Sequence, residues 1–308
     1  MDRDGTLGGV KIRIGFGLGT RTLTNEAATF GPFVDDLERL GFDSLWLSER
    51  LTGEAPDPLV ALAFAAGRTE RLKLGTSVLV LPGRNPVVAA KQLASLDRLS
   101  QGRLLPAVGL GAPNPVEHQA FGVARGDRAA WFDEALPLMR RLWTGERVDH
   151  QGDRFRLEGV ALLPTPVQDP LEVWLGGQAP SELRRCGRLG DGWLPSFCTP
   201  GDIAGGRPLV EAAASEAGRT IGPEHFGALV AYSHTGVPDA VGALLARRRP
   251  DLDPADVIPV GLPALGRRLE ELVDAGASKF VALPLDDPAA WRAELEAVAG
   301  AVLPLQDG

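Results

Sequence analysis

From residue 11 to residue 300, apolar stretches of strand length alternate with segments whose apolar residues recur at helical spacing. "KIRIGFGLG" at 11–19 reads as a first strand. Over 25–40, Phe30, Phe33, Val34, Leu37 and Leu40 fall on one helical face, and Gly41 stands where such a helix stops. A second strand spans 42–49, and its end presents Ser48, Glu49 and Arg50. A helix over 57–67, a strand over 71–82, a helix over 85–100 with Pro86 in its first turn, and a strand over 102–111 follow. Residues 128–144 set Phe132, Leu136, Met139, Leu142 and Trp143 on one face, and "RVDHQGDRFRL" at 147–157 alternates about Gly152 as a β-hairpin does. The alternation resumes with strand 171–177, helix 181–189, strand 191–197, helix 208–217, strand 226–232, helices 239–248 and 263–275, strand 279–285 and helix 288–300.

These are eight strand candidates, most followed by a helix. They are continuously apolar, as strands buried on both faces of a parallel sheet are. The pattern predicts an α/β chain forming one domain over 1–308, a (β/α)8 TIM barrel with a hairpin insertion after the fourth strand–helix unit. A doubly wound open sheet is the rival. It usually carries G-x-G-x-x-G after its first strand, and "GFGLGT" at 15–20 has the wrong spacing.

Composition narrows the function. The chain has 308 residues, 44% hydrophobic and 23% charged, as a soluble globular protein does. Its apolar runs stop short of membrane-span length, and the start "MDRDGTLGGV" is too acidic and glycine-rich for a signal peptide, so the expected compartment is the cytoplasm. A net charge of −8 without a basic tail argues against nucleic acid as a partner. Cys186 and Cys198 match neither a disulfide framework nor a zinc pattern and read as structural thiols. The four His show no metal-ligand spacing. His150 lies in the hairpin, and His118, after the fourth strand, reads as a solvated residue at a helix start.

In a (β/α)8 barrel the site stands at the C-terminal strand ends. These ends carry Gly17 and Gly19; Ser48, Glu49 and Arg50; Thr76 and Ser77; Gly109, Gly111 and Asn114; Gly176, Gly177 and Gln178; Trp193 and Ser196. So many glycines let backbone approach a flat ligand. "GGQAPSELRR" at 176–185 sets two glycines before a helix start, which suits either an anion such as phosphate, with Arg184 and Arg185 assisting, or a plain tight turn. Glu49 and Arg50 read either as site residues or as a surface ion pair of little worth. Glu49 has no obvious second carboxylate, and no G-x-S-x-G occurs, so glycosidase and serine-hydrolase chemistry find no support. A pocket for a large flat anion with few proton-transfer groups favours a redox cofactor.

The stretches "LGFDSLWLSER", "RTERLKLGTSVLVLPGRNPVVAAKQLASLDRLSQGRLLPAVGLG", "RAAWFDEALPLMRRLWTGERVDHQGDRFRLEGVALLPTPVQ" and "VWLGGQAPSELRRCGRLGDGWLPS" carry a resemblance over nearly the whole chain. It resembles the bacterial luciferase-like superfamily, in particular its coenzyme F420-dependent oxidoreductase branch. The resemblance implies a (β/α)8 barrel, a small-molecule substrate and a homodimer, for which the helices at 57–67 and 86–99 offer surfaces. It implies a non-prolyl cis peptide at Ser77–Val78 behind the cofactor ring, and Gly109 and Gly111 beside it. It implies Gly176, Gly177, Gln178 and Ala179 along the ribityl-phosphate arm, and Glu49 at the ring's polar edge.

Two positions depart from relatives that oxidise alcohols or sugar phosphates. Those relatives carry His after the acid, where this chain has Arg50, and tend to carry Glu where it has Ala112. Arg stays protonated and cannot act as a general base. It can orient an anionic substrate, or stabilise charge on a carbonyl or enone accepting hydride. The expectation is an enzyme using F420, with Glu49 and Arg50 as its catalytic residues. An FMN-dependent monooxygenase using O2 and a non-catalytic flavin-binding barrel are the alternatives.

Overall fold

The computed structural model describes residues 10–307, so the stretch behind the signal-peptide reading lies, up to residue 9, outside it. In chain order the elements are β1 (Arg13–Gly19), α1 (Ala27–Leu40), β2 (Ser44–Leu47), α2 (Pro58–Ala66), β3 (Lys73–Thr76), β4 (Leu79–Val80) and α3 (Pro86–Leu99). Then come β5 (Leu104–Leu105), β6 (Ala107–Gly109), α4 (Pro115–Phe121), α5 (Arg128–Trp143), the hairpin strands β7 (Val148–Gln151) and β8 (Arg156–Val160), and β9 (Trp174–Leu175). The last part holds α6 (Pro180–Leu189), β10 (Gly192–Trp193), α7 (Pro200–Glu216), β11 (Gly227–Tyr232), α8 (Asp239–Arg248), α9 (Leu262–Asp274), β12 (Lys279–Pro284) and α10 (Trp291–Val302).

Three departures from the sequence pattern have local causes. The strand expected over 71–82 is split into β3 and β4 by the cis Ser77–Val78 bond, which lies where the resemblance implies. The strand expected over 102–111 is interrupted at Pro106, which has no N–H for a ladder; its carbonyl accepts from Trp174 N at 2.9 Å. Helix α7 begins eight residues before the expected 208 because Thr199 and Asp202 form a reciprocal cap, with bonds of 3.1 and 2.7 Å. The pair Gly205 and Gly206 hid that first part. Gly206 is required there, since a Cβ would stand 2.4 Å from the Trp193 ring.

The chain divides into two compact units. One comprises the chain up to Leu18, Asp35–Trp46, and Gly176 onward. In it β11, β12 and β1 run parallel, with Gly227 and Arg13 both in register with Lys279. The fully buried Ile14, Phe16, Leu18, Trp46, Phe280 and Val281 come from these strands and from β2. Gly187 of α6 lets α7 approach so closely that a Cβ would stand 2.4 Å from Val210 O.

The other unit comprises Gly19–Val34 and Leu47–Leu175. Here β3 pairs with β5, and β6 runs between β4 and β9, all parallel. Thr76, fully buried, serves as a bracket: its hydroxyl donates to Ala107 O at 2.7 Å and accepts from Ala107 N at 3.0 Å. Asp97, also buried, is satisfied by Val167 N, Gln168 N and the Gln168 amide at 2.6–3.0 Å. The expected hairpin is present as β7 and β8, antiparallel, with His150 opposite Leu157.

Gly187→Ala should destabilise the protein by about 1–3 kcal/mol, because the obstruction is backbone and cannot swing away. Gly300→Ala, at an exposed α10 position with nothing within 4 Å of the new Cβ, should stabilise it by about 0.5–1 kcal/mol. Urea unfolding of the two variants checks the pair, and a Gly187→Ala midpoint equal to wild type would contradict the packing.

Candidate functional site

The end of β2 grips the segment around the cis bond. Ser77 N donates to Leu47 O at 2.8 Å, the Ser48 hydroxyl donates to Ser77 O at 2.7 Å, and Glu49 N donates to Val78 O at 3.2 Å. The Glu49 carboxylate then accepts from Val80 N at 2.7 Å and pairs with the Arg84 guanidinium. Arg84 Nε donates in turn to Val80 O at 3.0 Å. The Glu49 side chain is only 2% exposed. Burial raises its pKa above the ordinary value, and Arg84 and the Val80 N–H offset part of that rise. The partner of Glu49 is therefore Arg84, and the surface ion pair with Arg50 is not formed. The Arg50 side chain is exposed, with no hydrogen bond or ion pair among the described residues, while its carbonyl accepts from Gly53 N at 3.2 Å.

Gly109 and Gly111 lie against this same segment. A Cβ on Gly109 would stand 2.7 Å from Val78 Cγ2, and one on Gly111, whose φ is +80°, 3.0 Å from Val80 Cγ1. These glycines let the chain after β6 close on Val78 and Val80. The carbonyls of Leu110, Gly111 and Ala112 converge on Arg128 Nη1 at 2.9–3.2 Å. Arg128 is 9% exposed and, among the described residues, has no carboxylate partner and leaves its buried Nε without a hydrogen bond. It also opens α5, where the helix dipole opposes a cation. Burial and the nearby Arg125 both lower its pKa. A buried cation in this condition calls for an anion.

Glu117 of α4 holds the loop after Arg50. Its carboxylate accepts from Leu51 N at 3.1 Å, Thr52 N at 2.9 Å and the Thr52 hydroxyl. Burial works to raise its pKa, but these bonds and the charge of Arg50 outweigh it and lower the value. Glu117 is thus an ionised acceptor and no substitute for the acid missing at Ala112. Asn114 caps α4, accepting from Val116 N at 2.9 Å.

In the other unit, Gly177 takes φ +95° ahead of α6 and accepts from Trp193 Nε1 at 2.8 Å. A Cβ on Gly176 would stand 3.2 Å from Leu194 O. The backbone N–H groups of Gln178 and Ala179 both donate to Glu182 Oε2 at 3.0 Å. Glu182 therefore holds two of the donors expected to face an anion. The Gln178 amide is also fixed: it donates to Ser196 O at 2.7 Å and accepts from Arg249 Nη1 at 3.0 Å. Arg249 bridges to Asp202 and Asp251, which raises its own pKa.

Other singled-out residues have structural partners. His118 Nε2 lies 3.1 Å from Ala112 O, and His150 Nε2 lies 2.9 Å from Glu134 Oε1, tying the hairpin to α5. Cys186 and Cys198 are buried free thiols, each pushed up to about 12, chiefly by burial.

The sequence profile described as luciferase-like monooxygenase matches residues 9–278. The chain belongs to that family. Among curated relatives of this luciferase-like chain, an F420-dependent glucose-6-phosphate dehydrogenase of Intrasporangium calvum is 37% identical over 193 residues, 57% of this chain and 56% of the relative. A phthiodiolone/phenolphthiodiolone dimycocerosates ketoreductase of Mycobacterium kansasii is 31% identical over 256 residues, 73% of this chain and 66% of that protein. The chain thus spans about half the length of the first relative and about two thirds of the second. A monooxygenase structure from Streptomyces bottropensis superposes with TM-score 0.76 at 24% identity, covering 95% of this chain and 99% of that one. An F420-dependent secondary alcohol dehydrogenase holding an F420–acetone adduct superposes with TM-score 0.78 at 20% identity, covering 97% and 100%. These likenesses show the fold, the (β/α)8 barrel that the strand–helix alternation predicts.

Sequence reasoning missed Arg84, Arg128 and Glu117. Arg84 stands in "LPGRNP", a lone cation among turn residues just past a strand, and Arg128 is a cation at a helix start, where acids are usual. Arg84→Ala leaves the buried Glu49 carboxylate uncompensated and should cost about 3–5 kcal/mol, against about 0.5 kcal/mol or less for Arg50→Ala. Folded Glu49 keeps its proton to a higher pH than unfolded Glu49, so its contribution favours folding at low pH and is lost as pH rises through the raised value. Arg84→Ala should steepen that fall above about pH 4.3, and adding Glu49→Gln should flatten it. Denaturant titrations over pH check both; equal costs for Arg84→Ala and Arg50→Ala would contradict the pairing.

Proposed function

We propose that this chain is a coenzyme F420-dependent oxidoreductase moving a hydride between the deazaflavin ring C5 and a small organic substrate. The observation that carries the reading is Arg128, a buried cation beside Gly111 that among the described residues lacks an anionic partner and keeps a free Nε–H. The activities of two curated relatives, one F420-dependent and one a ketoreductase, support it. The bound cofactor supplies the hydride chemistry, and this chain's residues bind and orient. Ser77 and Val78, held by Ser48 and Glu49, back the ring, with Gly109 and Gly111 beside them. Glu49 meets the ring's polar edge while Arg84 holds it in place. Gly176, Gly177, Gln178 and Ala179 follow the ribityl-phosphate arm, and Arg128 answers negative charge on the ligand.

Arg50 is the second catalytic residue in this reading. Exposed and permanently charged, it stabilises negative charge on a carbonyl or enone oxygen as hydride arrives. Alcohol oxidation lacks its base, because Arg50 stands where the resemblance implies His and because Leu51 and Thr52 already occupy both oxygens of the Glu117 carboxylate and lower its basicity. The same reading makes the protein cytoplasmic and homodimeric. Val60 and Phe64 on α2 and Val88 and Leu99 on α3 expose apolar surface for a partner. No helix of the described residues is long and apolar enough to cross a membrane.

The family description and the Streptomyces bottropensis structure favour a second reading, a monooxygenase using reduced FMN and O2. The test is a fluorescence titration with F420. Micromolar binding is expected, weakened about tenfold by Arg128→Met, the loss of one charge-assisted contact. No binding at micromolar cofactor would overturn the reading, and oxygen uptake dependent on FMN and NADPH would replace it with the second. Binding without hydride exchange across carbonyl and enone acceptors would leave a non-catalytic flavin-binding barrel.

A further inference from the structure

Two loops of one compact unit are clamped to each other: residues 50–56, which follow β2, and residues 110–118, which follow β6. The clamp is the Glu117 carboxylate, which takes Leu51 N, Thr52 N and the Thr52 hydroxyl. Asn114 and His118 are engaged within their own loop. Asn114 accepts from Val116 N at 2.9 Å, and Ala112 O accepts from Asn114 N at 2.8 Å and lies 3.1 Å from His118 Nε2. Much of what stays exposed is apolar. Leu51 is 46% exposed and Val116, next to Glu117 in the chain, 56%; Ala112 and Pro113 are exposed too. A single exposed apolar side chain is ordinary, but these two stand on the loops that one carboxylate joins.

Arg50 is set into this surface. Its carbonyl accepts from Gly53 N at 3.2 Å. A Cβ on Gly53 would stand 3.2 Å from Arg50 Cβ and 3.3 Å from its Cδ, so the stem lies over a glycine. The charges nearby decide what the guanidinium can meet. Residues 50–56 and 110–118 hold one Arg against Glu54 and Glu117, and the Arg50 charge helps to lower the pKa of Glu117. Arg128, bonded to the carbonyls of 110–112, is the cation assigned to the cofactor. A substrate carboxylate or phosphate would meet an excess of negative charge on these loops, whereas a neutral carbonyl oxygen meets a donor without that cost. A sugar, with a hydroxyl on nearly every carbon, would lose water and find the Asn114 and His118 side chains already taken.

Resting on the reading that Arg50 meets the substrate oxygen, we propose that Leu51 and Val116 select a neutral, largely apolar ketone or enone, its oxygen at Arg50 and its hydrocarbon body on the two side chains. Of the two tasks open to Arg50, orienting an anion and stabilising charge on a carbonyl, the charge balance of the loops favours the second.

The probes are methyl hexyl ketone, methyl ethyl ketone, and the analogue of the longer ketone with a carboxylate in place of its terminal methyl. Each is titrated by ligand-observed NMR into protein loaded with oxidised F420, which has no hydride to give, so binding alone is read. Wild type should bind the longer ketone about tenfold more tightly than the shorter, the gain from the added methylenes when roughly half their surface leaves water. It should bind the carboxylate analogue about threefold more weakly than the longer ketone. Leu51→Ser and Val116→Ser should each cut the tenfold gap to about threefold, and Val116→Lys should bring the carboxylate analogue at least level with the longer ketone. Fluorescence titration with F420, which neither side chain serves, is the folding control, and Ala variants replace any Ser variant that fails it. The selection is overturned, with the F420 reading left standing, by any of four results: no binding of the longer ketone, equal affinity for both ketones, carboxylate binding as tight as that of the longer ketone in wild type, or an undiminished gap in either Ser variant. An unmoved order in Val116→Lys would overturn it too. Failure of wild type to bind F420 would overturn both.

Discussion

The grip of Ser48 and Glu49 on residues 77–80 is the constraint on which the candidate site depends. Two adjacent residues at a strand end use a hydroxyl, a backbone N–H and a carboxylate to hold Ser77 O, Val78 O and Val80 N. A hydrogen bond to a charged acceptor contributes about 1.5–3 kcal/mol, and more is lost when a buried group is left unpaired. Because the Glu49 carboxylate is almost wholly buried, Arg84 must accompany it. Because Val78 and Val80 are fixed, the chain facing them can be only glycine at 109 and 111. One buried acid thus dictates a cation and two glycines.

Charge in this unit is organised by burial more than by number. Glu49 carries its own counter-charge, whereas Glu117 is satisfied by backbone and hydroxyl donors. Arg128 has carbonyl oxygens but, among the described residues, no carboxylate. Among the described residues Arg128 is thus a buried cation without a carboxylate beside a glycine-lined loop, and in the proposed reading it answers an anionic ligand. In the other unit the donors of Gln178 and Ala179 are already held by the Glu182 carboxylate, so an anion approaching there meets an internal competitor.

Much of the fold was legible because apolar spacing reports directly on burial. The helix read over 239–248 is found at those residues, and the strand read over 279–285 differs by a single residue. What was hidden was decided by backbone detail: Pro106 interrupting a strand, and Gly205–Gly206 masking the capped start of α7. At the site, the glycine-rich strand ends were visible, and the cis bond followed from the family resemblance. The partner of Glu49 was not visible, because Arg84 lies 35 positions along the chain and only the fold brings them together. Arg50, the neighbour in sequence, stays exposed, with Glu117 fixing the loop behind it; in the proposed reading it takes the position for which the family resemblance implies His.

The grip itself is open to amide hydrogen exchange. Glu49→Ala removes the acceptor of the Val80 N–H and nothing from β11 or β12. The account predicts that Val80 exchanges at least about tenfold faster in the variant, a local loss of about 1.4 kcal/mol, while Leu229 and Val281 keep wild-type protection. Unchanged protection at Val80 would contradict it.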